Sequence, residues 1–190
     1  MESIEPVVTM DAGFTLTEVF PSRIRVPRRH LIEQVPWPTA RGAVVNAIAY
    51  IKTVPRELHP RLERMLVRVF KGRSNREGLI KWLSEKGGVS EARARFIADD
   101  QMAKVSAELL REKWKKRGVK FVRWIHGDAP DPREYHRRQW DGHSGADGRP
   151  NGLNGFVFEI GNPPVIDTST NDRGYPAQLP GCTCRLEPVK

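Results

Sequence analysis

Apolar residues recur three and four positions apart over two early stretches: Ala43, Val44, Ala47, Ile48 and Ile51 within residues 42–53, and Leu62, Met65, Leu66, Val69 and Phe70 within residues 59–70. That spacing gathers them on one side of a helix, so both stretches are predicted as short amphipathic helices. Ser74-Asn75-Arg76-Glu77 has the Ser-x-x-Glu arrangement, in which two side chains satisfy N–H groups that a first helical turn leaves unpaired. A third helix is predicted to start there, with Leu79, Ile80, Trp82 and Leu83 as its apolar side and Gly87-Gly88 as its stop. Ser90 then caps the longest periodic stretch, about residues 91–117, with Ala94, Ile97, Ala98, Met102, Val105, Leu109 and Trp114 near one face and Gly118 as the stop. At about 1.5 Å per residue this helix is on the order of 40 Å long, enough to cross a domain.

Beyond Gly118 the period changes. Residues 119–126 are β-branched and aromatic and predict a strand; residues 155–160 predict a second, and residues 182–186 a short third. The long polar stretch between the first two, residues 127–154, is predicted to hold a helical turn or two at 134–140. Residues 1–40 carry Pro6, Pro21, Pro27, Pro36 and Pro38 and the basic run Arg23 to His30 without a sustained period. They read as an extended basic arm, laid over its own domain or reaching a neighbouring subunit or nucleic acid. The expected fold class is α+β. A helical region at 41–89 follows the arm, and residues 90–190 form a domain whose long helix, about 90–117, packs on a small antiparallel β-sheet made by the C-terminal part.

Charge sharpens this division. The net charge of the 190 residues is +9, from 32 Lys and Arg against 23 Asp and Glu. Residues 1–118 hold 23 basic and 14 acidic side chains, and residues 119–190 hold 9 of each, so the whole excess lies in the helical part. An anionic partner is expected for that part. Arg61, Arg64, Arg68 and Lys71 form a basic stripe on the second predicted helix, either a solvated face or a surface that meets DNA phosphates. Lys115 and Lys116 close the long helix, where its dipole favours cations, and are further candidates for facing DNA. No run of 18 apolar residues occurs and the first residues are acidic, so neither a membrane span nor a secretion signal is expected.

Two cysteines, Cys182 and Cys184, stand too close in sequence for an unstrained disulfide. Placed on the same side of a strand, they could join His136 with His143 or His126 in a tetrahedral structural zinc site, the alternative being two small half-buried side chains. A nuclease-like acid–base site is a competing reading, with His126 and His136 titrating near neutrality and Arg133 or Arg137 stabilising phosphoryl charge. The run Asp141-Gly142-His143-Ser144-Gly145-Ala146-Asp147-Gly148 lacks the alternating oxygen ligands and terminal Glu of a calcium loop. No phosphate-cradling glycine loop, nucleophile elbow or metalloprotease histidine pair is present.

Phe96-Ile97-Ala98-Asp99-Asp100-Gln101, Gly118, Phe121-Val122-Arg123-Trp124, Asp128, Arg133, His136, Asp141-Gly142, Phe156 to Phe158 and Pro180-Gly181-Cys182-Thr183-Cys184-Arg185 stand in an order that resembles the Mu F-like minor head proteins of tailed bacteriophages. The resemblance covers about residues 90–190. It departs from the family at Asp99 and Thr183, where arginine is usual, and at Leu179-Pro180-Gly181, which replaces a common His-Pro. It implies a structural, non-enzymatic virion protein of the head and portal region, present in the host cytoplasm during assembly and involved in head morphogenesis or in DNA packaging or delivery. Portal and major capsid proteins, and packaged double-stranded DNA, would be its partners, with no membrane. It also implies structural roles for Gln101 and Arg123 near the helix–strand junction, for Trp124, for His136 and Asp141 in ordering the long loop, and for Cys182 and Cys184 in pinning the tail. The alternatives are a nuclease or toxin-like enzyme using His126 and His136, and a plain DNA-binding protein.

Overall fold

A computed structural model describes residues 35–49, 51, 54–129 and 131–189. The expected arm lies outside the described residues as far as residue 34, and its last four positions are helical. In chain order the elements are α1 (Trp37–Ala49), a single 3-10 turn (Arg56–Leu58), α2 (His59–Phe70), α3 (Arg76–Lys86), α4 (Glu91–Lys116), β1 (Phe121–Ile125), α5 (Glu134–Arg137), β2 (Val157–Glu159), β3 (Val165–Asp167), β4 (Asp172–Arg173) and β5 (Arg185–Val189).

Helix α1 begins at Trp37, ahead of the expected residue 42, because a proline in a first turn gives up an N–H that has no helical partner there anyway. Pro38 therefore does not break the helix. Helix α2 buries Leu62, Leu66, Val69 and Phe70 and leaves Arg61, Arg64, Arg68 and Lys71 on its outer side. The expected Ser74–Glu77 capping box does not form. Asn75, in extended backbone, takes the cap and its Oδ1 accepts from Gly78 N–H at 2.8 Å, while Glu77 pairs with Arg76. Gly88, at φ +68°, turns the chain toward α4. There Ser90 Oγ accepts from Arg93 N–H at 3.3 Å, Lys113, Lys115 and Lys116 occupy the last turn, and Gly118 leaves at φ +76°.

Two apolar interiors result, and α4 serves both. Its residues from Ala94 to Leu109 pack with α1, α2 and α3, where Ala40, Val44, Leu62, Leu66, Leu79 and Leu83 are fully buried. Its residues Leu110 and Trp114 belong to a second interior with Val122, Trp124, Leu153, Phe158, Ile166 and Leu186. That second interior is roofed by an antiparallel sheet of order β2-β1-β5. Val122 faces Phe158 and Trp124 faces Leu186 across the strands, so the large inward side chains meet in pairs, while Phe121 and Arg123 point outward. The long helix thus packs on the sheet through its last turns, against β5. The third strand starts at Arg185, later than expected, which leaves both cysteines in the turn before it. A separate ribbon, β3 with β4, was not expected. No helix of the described residues is long and apolar enough to cross a membrane.

Candidate metal centre

The one-turn helix α5, entered from Arg133, carries His136 inward, where only 2% of its surface is exposed. The ring lies edge-on to Trp124, with centroids 5.0 Å apart. Its Nε2 is 2.8 Å from the Ile166 carbonyl oxygen, in β3. A carbonyl can only accept, so Nε2 carries the hydrogen and, in the neutral ring, Nδ1 presents a bare lone pair. That lone pair faces two sulfurs: Cys182 Sγ at 3.6 Å and Cys184 Sγ at 3.9 Å. The three donor atoms lie within 4.8 Å of one another and all three residues are buried. The group can therefore hold a metal ion, and its chemistry of two thiols and an imidazole suits a soft, four-coordinate cation.

Local backbone brings the sulfurs there. Gly127 follows β1 so closely against the tail that a Cβ would stand 2.2 Å from the Thr183 carbonyl oxygen, and only glycine permits that approach. The backbone N–H of Gly127 favours the anion of Cys184, and that of Ala177, held at φ +66°, favours the anion of Cys182. Cys182 is pulled down, above all by hydrogen bonding from Cys184 and against the cost of burial. Cys184 is pushed up, because it donates to Cys182 and is itself buried. The indole N–H of Trp124, with no nitrogen or oxygen partner among the described residues, also acts on Cys184.

The tail is tied on two further sides. Gly181 N–H donates to Asp100 Oδ1 at 2.9 Å, and Arg133 donates to the Pro180 carbonyl at 3.2 Å. Asp100 in turn takes a hydrogen bond from Gln101 at 3.0 Å and pairs with Lys104, both charged side chains being almost fully buried. Asp99, where the resembled family has arginine, receives two hydrogen bonds from Arg76 of α3, at 2.6 and 2.8 Å. That pair fastens α4 to the helical half.

Of the residues singled out in the sequence, Gln101, Trp124, His136, Cys182 and Cys184 come to this region. Arg123 does not: it lies exposed on the outer face of β1, opposite Glu187, away from the junction expected for it. Asp141 is exposed and accepts from His143 N–H at 2.9 Å, a bond that lowers its pKa and orders a local turn. His143 is exposed and His126 half-buried, and neither joins the buried group, so of the three candidate histidines His136 alone meets the cysteines. The basic candidates sit on two separate helices: Arg61, Arg64, Arg68 and Lys71 on the outer side of α2, and Lys115 and Lys116 at the end of α4, with Lys71 over the Trp37 ring at 4.3 Å and Lys115 bonded to Glu112. Sequence reasoning gave no role to Asp100 or Gly127; a carboxylate four residues before a lysine, and a glycine just past a strand, were the available signals. Comparison with protein-family models, curated proteins and solved structures returned no match.

Proposed function

We propose that the chain is a non-enzymatic minor head protein of a tailed phage, acting near the portal in head morphogenesis or DNA delivery, with a structural zinc ion at His136, Cys182 and Cys184. One observation carries the reading: Asp100, Gln101, Trp124, His136, Cys182 and Cys184, all within the sequence pattern of the Mu F-like proteins, converge on one buried knot although the first and last of them stand 84 positions apart in sequence. A knot of that kind holds a scaffold together. His136 supports it further, because its Nε2 is bonded to the Ile166 carbonyl and the ring is buried, whereas a general acid or base must reach the proton it transfers. The notch between α4 and the tail, lined by Glu108, Arg111, Tyr175, Gln178 and Leu186, contains no histidine or cysteine.

The partners in this reading are the portal and major capsid proteins, with packaged double-stranded DNA against the α2 stripe. Co-expression with the portal and capsid proteins of a tailed phage, followed by sedimentation of assembled heads, tests the role: the protein is expected in the head fraction. Heads that form without it bound would overturn the proposal, as would cleavage of plasmid or RNA that disappears in His136→Ala. For DNA binding, the salt dependence of duplex affinity is the readout. Replacing Arg61, Arg64 and Arg68 by alanine should flatten the logarithmic slope by about 0.9 for each phosphate that the protein ceases to neutralise.

A further inference from the structure

We propose that the His136–Cys182–Cys184 group is a zinc latch: the three side chains hold one tetrahedral Zn2+ whose presence decides whether the tail, residues 180–189, stays docked on β1 and α4. The inference deepens the zinc reading of this group and rests on it.

Geometry carries it. With Zn–S near 2.3 Å and Zn–N near 2.0–2.1 Å at tetrahedral angles, sulfur and nitrogen ligands stand about 3.6 Å apart. The two separations here are 3.6 and 3.9 Å. Little rearrangement separates this arrangement from a coordination shell. The bond from Nε2–H to the Ile166 carbonyl is the outer contact that metal-bound imidazoles make, fixing the tautomer that leaves Nδ1 free to coordinate. Among the described residues no fourth His, Cys, Asp or Glu joins the three, so the fourth position would fall to a ligand from outside them. Binding would send to solvent whatever proton the two sulfurs still hold and leave two thiolates and a neutral imidazole on the cation, charges that the nearby N–H groups of Gly127 and Ala177 complement.

The latch follows from where the ligands sit. Cys182 and Cys184 immediately precede β5, an edge strand, while His136 belongs to α5, a separate element between β1 and β2 in the chain. Apart from strand pairing and the burial of Leu186 and the two cysteines in the second interior, the turn is fastened by the hydrogen bonds from Gly181 to Asp100 and from Arg133 to Pro180. Free energy of metal binding thus becomes free energy of docking β5.

The full chain, purified without chelator, is titrated with Co2+ as a spectroscopic stand-in for zinc, and backbone hydrogen exchange is compared with and without metal. The latch predicts about one equivalent bound with thiolate charge-transfer and tetrahedral visible bands, loss of the charge-transfer intensity in Cys184→Ser, and exchange at residues 185–189 at least about tenfold faster in the metal-free chain while α1–α3 are unchanged. Failure to bind cobalt or zinc at equimolar concentration overturns the zinc reading and the latch together. Metal binding with unchanged exchange at residues 185–189 overturns the latch alone, and an undiminished band in Cys184→Ser overturns the three-residue zinc site together with the latch.

Discussion

Trp124 is completely buried, centred on β1 between Leu186 and the His136 ring. Its removal opens a cavity against the sheet and takes away the wall of the His136 pocket. Trp124→Ala is expected to lower stability by about 3 kcal/mol or more, measured by denaturant unfolding, and near-wild-type unfolding would contradict its place in the second interior. Glu108, on α4 beside Arg111, behaves differently. Burial pushes its carboxyl above the ordinary 4.5, and the favourable charge of Arg111 only partly offsets that. A carboxyl whose folded value is raised holds its proton more tightly in the native state, so its contribution is present below the unfolded value and is lost as the pH rises through the folded one. Glu108→Gln cannot titrate. Its melting temperature is therefore expected to gain on the wild type as the pH rises above the ordinary 4.5, and a difference that stays constant with rising pH would show that the carboxyl is not desolvated.

At the scale of elements, α4 is the piece whose ends are specified most locally. Ser90 satisfies the Arg93 N–H and Gly118 supplies the left-handed exit. Ser90→Ala should cost about 1 kcal/mol in thermal or denaturant unfolding without altering helix content, since tertiary packing fixes the rest of the helix. The same local signals explain what could be read from the chain. Residues 59–70 announced themselves because apolar side and charged side agree there, and residues 91–116 because apolar side and the Ser90 cap agree. The start of α1 was hidden by Pro38, which signals a break inside a helix and no break in its first turn. Asn75, and not Ser74, takes the cap, although both side-chain types serve. Strands β3 and β4, of three and two residues, are too short to show any alternation. The cysteines were recognised as candidate ligands, but which histidine they would meet was not legible. His126 is nearer β1 in sequence, yet it is α5, a turn of four residues, that carries a histidine into the interior.

Across the whole molecule, the excess positive charge falls on the helical half and the polar knot on the other, so the two halves offer different things to a partner: an array of cations on α2, and a sheet with Phe121 more than half exposed on its outer face. They are joined by one continuous helix. The hand-over between the interiors occurs inside it, between Leu109 and Leu110, which are neighbours in sequence and face different cores. Phase along the rod is thus a structural quantity in its own right. One extra alanine at that point leaves α4 helical but rotates everything after it by about 100°, whereas four extra residues bring the rotation back to within about 40° of the start. The single insertion should unpair Leu110 and Trp114 from the sheet and unfold the C-terminal half at lower denaturant than the four-residue insertion does. Length variation in this helix is therefore confined to near-whole turns, a restriction set by angular register and independent of which amino acids are inserted.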